Sequence, residues 1–221
     1  MTEATPRLII LFFDTVPAPQ QVLDVLQHDD GVTGALLARL DDRSRRAAMW
    51  TRDPMACLPQ GRLALDISEI STCDALAERV VGMLGGVAYR CQTRVPIAPQ
   101  LEAGVAFAGT LQLCCFQRVQ GLSDSQLAQY WLNEHTDVAI TTQNTLGYQQ
   151  NWVLQGGDPC FDGIVEEYFP SEAGDSMTAF FADGHDEALM WGHIQRLTES
   201  SERFLDLERA EVIHLTDTRI L

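Results

Sequence analysis

The order in which strand-like and helix-like stretches follow one another is the strongest constraint on how this chain folds. The first half reads as strand, helix, strand, strand, helix, strand. "RLIILFF" (7–13) is a short apolar run of the kind a central strand needs. "APQQVLDVLQH" (18–28) sets Val22, Leu23 and Leu26 at helical spacing behind Pro19, which is tolerated at a helix start. "GVTGALLARL" (31–40) follows a "DDG" turn signal, residues 41–61 are polar and proline-bearing like a loop, and "RLALDISE" (62–69) alternates as a strand does. A helix over 71–86 carries Leu76, Val80 and Leu84 and stops at Gly-Gly, and "VAYRCQTRVPI" (87–97) alternates again. A loose linker is expected over 98–109. The same order then recurs: strand 110–119, helix 123–143, strands 145–154 and 161–169 around a "QGGDPC" turn, helix 187–207 and strand 210–221, with "SMTAFFAD" (176–183) as an extra helical turn. Two β-α-β-β-α-β units predict an α+β fold of two tandem ferredoxin-like modules, over 1–100 and 107–221. Each antiparallel sheet has helices on one face only, so its other face must be covered. Pairing the modules sheet to sheet gives an α+β barrel; the same surface could instead pair with a second chain as a homodimer.

Composition narrows the partners. The net charge of −16 argues against nucleic acid, which needs clustered basic residues, and against an anionic membrane surface. No apolar run reaches the roughly 20 residues of a membrane span, and the N-terminus lacks the pattern of a secretory signal, so a cytoplasmic protein is expected. All 15 basic residues are arginine. Schiff-base chemistry on a lysine and covalent attachment of pyridoxal phosphate are therefore out of reach. The six cysteines form no CxxC pair and read as free, small apolar residues. No GxGxxG, P-loop or GxSxG pattern is present, and no cofactor is expected.

The stretch "YWLNEHTDVAI" (130–140) carries the most informative residue. Ser123 and Gln126 make a capping box. Behind it Leu127, Trp131, His135 and Val138 fall on one stripe, widened by Leu132 and Ala139. His135 thus points at the sheet. The plainer reading is a buried ring satisfied by a neighbour. Against it stands the polar load of the nearby strands: Tyr148, Gln150, Asn151, Asp162 and Glu166 cost free energy to bury unless they pair or line a wet cavity. Such a cavity between sheet and helices is the expectation.

The second half resembles the EthD family, named for ethyl tert-butyl ether degradation, of the dimeric α+β barrel superfamily. The resemblance rests on "FQRVQGLSDSQLAQYWLNEH" with Trp131 and His135, "LGYQQN" with Tyr148 and Asn151, "FDGIVEEYF" with Asp162, Gly163 and Glu166, and "ERFLD" with Phe204. It covers roughly 110–210; the first half matches only in element order. The resemblance implies a small organic ligand between sheet and helices, with dehydratases and decarboxylases among the relatives and others of no assigned reaction.

Three readings follow. The first is a cofactor-free lyase or isomerase acting on a hydrophobic, oxygenated small molecule. His135 would be the general base, Asp162 or Glu166 would orient it, and Tyr148 would polarise an oxygen. Trp131, Phe116, Asn151 and Glu166 would contact substrate, although ordinary core packing also accounts for Trp131 and Phe116. The second is a non-catalytic binding or accessory protein using the same pocket. The third is a haem protein with His135 as axial ligand. His185 and His193, eight apart, would stand about 12 Å apart on a helix, too far for one ion.

Overall fold

The computed structural model describes residues 4–182 and 186–221. Its elements run β1 (Thr5–Phe12), α1 (Pro19–Leu26), β2 (Val32–Arg39), β3 (Gly61–Ile67), α2 (Cys73–Leu84) and β4 (Val87–Ile97). The second half follows with β5 (Thr110–Arg118), α3 (Asp124–Leu127), a π-helical segment (Ala128–His135), α4 (Thr136–Thr142), β6 (Gly147–Gly156), β7 (Gly163–Phe169), α5 (Met177–Phe181), α6 (Glu187–Ser201) and β8 (Leu205–Arg219). The strands close into one barrel in the order β1-β3-β2-β8-β5-β7-β6-β4. Each half contributes four neighbours in the ferredoxin-like arrangement, β4-β1-β3-β2 and β8-β5-β7-β6. The joins are β2 with β8 and β4 with β6, both antiparallel. The surface that could have met a second chain is thus used within this one.

Alternation along the strands builds two kinds of core. In β1, Ile9 and Leu11 point into the barrel, while Leu8, Ile10 and Phe12 pack outward with Val22 of α1 and Leu76 and Val80 of α2. This explains the unbroken apolar run: β1 lies between β3 and β4 with both faces buried. Over the second half, Phe116, Leu127, Trp131, Tyr148 and Phe204 form the corresponding outer core.

Three expectations are adjusted. The linker is not loose: Gly104 N–H and Phe107 N–H donate to Arg219 O and Asp217 O at 2.8 and 2.7 Å, and the Phe107 ring meets Tyr168 edge-on. Within the polar loop 41–61, Ser44–Trp50 forms a short 3-10 helix. The last helix ends at Ser201 and β8 starts at Leu205, because Phe204 turns into the aromatic core against Phe116 and Trp131. Among the described residues no helix is long and apolar enough to cross a membrane.

Candidate functional site

The helix over 124–142 starts as expected, with Ser123 Oγ accepting from Gln126 N–H and Gln126 Oε1 accepting from Ser123 N–H. Its stripe faces the sheet, and His135 is 7% exposed. The imidazole does not look into a hollow. Its Nδ1 lies 2.9 Å from Ser200 Oγ of α6, and its ring meets Phe204 edge-on at 4.9 Å. Burial pulls its pKa down to about 4. Trp131 stacks between Trp152 and Phe204 and stands edge-on to Phe116 at 4.9 Å. Gly163 makes room for this, since a Cβ there would come within 2.5 Å of Phe116 and 2.7 Å of Trp131. Tyr148 is buried on the same face, where its hydroxyl accepts from Gln150 Nε2 at 3.3 Å; burial holds its pKa well above the usual phenol value.

The remaining candidates lie elsewhere. Strand alternation sends Tyr148 and Gln150 outward but Asn151 inward, and it sends Glu166 inward as well. Asn151 and Glu166 sit inside the barrel, on the far side of the sheet from His135. Asp162, just before β7, accepts from Arg118 N–H at 2.8 Å and from Arg118 Nε at 2.7 Å, pinning the end of β5. Neither carboxylate orients His135; Ser200 does. The polar load on β6 and β7 is accounted for by two different environments, not by one wet cavity under the helix.

The barrel interior holds an ionic network that the sequence reading missed. Glu166 lies between two buried guanidiniums, with Oε2 3.0 Å from Arg7 Nη1 and Oε1 2.7 Å from Arg62 Nε. Arg62 also meets Asp217 at 3.0 Å, and Asp217 accepts from the Tyr168 hydroxyl at 2.7 Å. Asn151 Nδ2 donates to Glu166 at 3.0 Å and its oxygen accepts from Thr93 at 2.7 Å. Burial alone would raise the Glu166 pKa, but Arg62 and Arg7 outweigh it and hold the carboxyl below its ordinary range. The available signal was an arginine on the inward face of each of two largely apolar strands, "TPRLIILF" and "GRLALDI", the second also carrying Asp66, which pairs with Arg7.

A second buried chain runs on the outer face of the sheet. Thr110 Oγ1, His214, Gln112 and Glu167 are linked at 3.1, 3.2 and 3.0 Å. Burial pushes Glu167 up to about 7, against the opposing pull of its bond from Gln112, and pulls His214 down to about 3.

One hollow that opens beside the helix lies at its N-terminal half, over the β4–β6 join. It has a volume of ≈ 380 Å³. Ala128, Leu132, Trp152 and Leu154 wall it, Gln92, Arg94, Asp124 and Ser125 supply its polar edge, and the buried Gln150 lies beneath them. Arg94 is held there by donating to the Leu132 carbonyl at 2.9 Å. Gln150 connects the hollow to the Tyr148 hydroxyl. Among the described residues, no three His, Cys, Asp or Glu side chains are grouped to hold a metal ion. His135 does not fit a haem: an axial ligand needs an open coordination direction beside space for the macrocycle, and this ring is packed against Phe204 and tied to Ser200. His185 lies outside the described residues; His193 Nδ1 is 2.5 Å from Phe181 O.

No family model matches the chain, and no curated protein does. Solved structures do. An anthrone oxidase-like protein aligns with a TM-score of 0.56 at 10% identity over 99% of this chain and 94% of its own. A candidate monooxygenase from Fusobacterium nucleatum aligns at 0.50 and 10% identity over 98% and 94%, and a candidate chlorite dismutase at 0.50 and 10% over 100% and 96%. At such identity the likeness speaks for architecture alone. The chain has the α+β barrel fold of these proteins, built from ferredoxin-like halves and closed within a single polypeptide.

Proposed function

We propose that this chain is an EthD-like protein that binds a small, hydrophobic, oxygenated molecule in the hollow between the helix over 124–142 and the β4–β6 join. The observation that carries this reading is the hollow itself: ≈ 380 Å³, apolar on its walls, with a few convergent polar groups at one edge. A binding or accessory role fits it better than a lyase or isomerase reaction through His135. That ring borders a neighbouring helix instead of the hollow, and a base with a pKa of about 4 is poorly matched to proton abstraction near neutral pH. Gln150 and the Tyr148 hydroxyl behind it are buried and bonded to each other and to Thr136, so they offer no free group to a reaction of the dehydratase or decarboxylase type. A homodimer would have to form through the outer surface, because each strand already has both neighbours within the chain.

Binding of 1-naphthol, a neutral aromatic alcohol followed by its own fluorescence, tests the site. Ala128→Trp fills the hollow and is expected to weaken binding at least about tenfold. His135→Gln, folded by circular dichroism, is expected to leave binding unchanged. Loss in the second variant with none in the first would move the site to His135.

A further inference from the structure

A second hollow, ≈ 390 Å³, lies over the same strand pair further along, with α2 as its wall through Ala77 and Val81. The two hollows have no lining residue in common but lie over successive rungs of the β4–β6 ladder. Arg94 lies opposite Gln150, Gln92 opposite Trp152 and Arg90 opposite Gln155, and all six line one hollow or the other. Arg90, Gln92 and Arg94 alternate along β4, so all three side chains leave the same face of the sheet. Set end to end on that ladder, the two hollows are taken together as one trough, with α2 beside one end and the helix over 124–142 beside the other. Leu154, 44% exposed, stands on its floor between the ends.

The donors at the two ends are not fully used. Arg90 Nη1 reaches Asp74 at 3.2 Å, but its Nε is buried and has no partner. A buried donor without an acceptor carries a desolvation cost, which a ligand oxygen would remove once the Arg90 side chain turns toward it. At the other end Arg94 spends Nη1 on the Leu132 carbonyl. The two arginines stand four residue steps apart along the strand, about 13 Å at roughly 3.3 Å each. The rim is acidic. Asp74, Glu78 and Asp158 line one end and Asp124 the other. Asp74 is paired with Arg90 and Asp124 with Arg118, while Glu78 and Asp158 form no ion pair among the described residues. With a net charge of −16, this field repels an anion.

We propose that the trough binds one elongated, uncharged, mainly apolar molecule that carries hydrogen-bond-accepting oxygens toward both ends, one at Arg94 and one at Arg90. This rests on the binding role assigned to the hollow beside the helix and extends it across the sheet.

The test uses the full chain labelled with 15N and follows the Nε–Hε resonances of Arg90 and Arg94 during titration with 1-decanol, 1,10-decanediol and decanedioate. The diol is expected to shift both resonances with one dissociation constant, about tenfold below that of decanol. Arg90→Gln is expected to bring the diol back to the affinity of decanol, and decanedioate to bind more weakly than the diol. A diol no tighter than decanol, or shifts that follow two separate constants, overturns the extension. Tighter binding of decanedioate overturns the claim of an uncharged ligand. Decanol binding that Ala128→Trp abolishes, without any gain for the diol, removes the extension and keeps the site beside the helix; no binding by any probe removes both.

Discussion

Three buried titrating side chains set how stability depends on pH. His135 and His214 have folded pKa values near 4 and 3, below the ordinary 6.5, because burial disfavours the charged ring. The stability they allow is present above about 6.5 and is lost as pH falls toward the folded values. Glu167 works in the other direction. Its folded pKa of about 7 lies above the ordinary 4.5, so its share is present below 4.5 and is lost as pH rises through 7. Between 4.5 and 6.5 the two histidines outweigh the one carboxyl, and above 6.5 their remaining gain offsets its loss, so stability is expected to rise up to about pH 6.5 and to level off above it. Urea unfolding at pH 5, 6.5 and 8 measures this. Glu167→Gln removes the opposing carboxyl and is expected to enlarge the gain in stability from pH 5 to 8 by on the order of 2 kcal/mol. An unaltered profile in that variant would show that the group does not titrate as its burial demands. The sequence placed His135 on the inward stripe correctly, since 3.6-residue periodicity reports facing. It could not report the partner, because Ser200 lies 65 positions away and nothing local marks it.

At the scale of elements, strand and helix order was readable because each half alternates apolar patterns of period 2 and 3.6 between turn signals. What periodicity could not resolve was which face each polar strand residue takes. Tyr148, Asn151 and Glu166 read as one cluster; alternation and barrel closure divide them between helix-side packing and the barrel interior. β8 starts earlier than periodicity indicates for a related reason: Phe204 and Leu205 continue an apparent helical pattern, yet tertiary packing with Phe116 and Trp131 draws them out of it. The same aromatic layer gives a sharp expectation at β7. A methyl group at position 163 would enter the Phe116 and Trp131 rings, which are buried on all sides and cannot both retreat. Gly163→Ala is therefore expected to cost about 1–3 kcal/mol as overpacking. A lower urea midpoint and a changed near-ultraviolet tryptophan signal would report it; an unchanged midpoint would mean that the helix over 124–142 rides outward freely.

At the scale of the whole molecule, the interior charges belong to different halves. Arg7 and Arg62 come from the first, Glu166 and Asp217 from the second, and both arginines meet their buried acids across the barrel. Thr93 and Asn151 repeat the arrangement with a neutral pair. Removing one side of such a network leaves uncompensated buried charge, at a cost of roughly 3–5 kcal/mol. Each half alone would also expose the apolar inward face of its sheet, for example Ile9, Leu11 and Ala64 in the first or Leu113, Ile164 and Ile213 in the second. Residues 1–100 and 107–221, expressed separately, are therefore expected to lack cooperative unfolding, and co-expression is expected to restore a one-to-one complex with a single transition. Arg62→Glu in the first piece places a third carboxylate between Glu166 and Asp217 and should prevent assembly, whereas Arg62→Met should permit it with reduced stability. Size-exclusion chromatography of the co-expressed pieces separates these outcomes. Assembly with Arg62→Glu at wild-type stability would mean that apolar closure of the barrel, without charge matching, joins the halves.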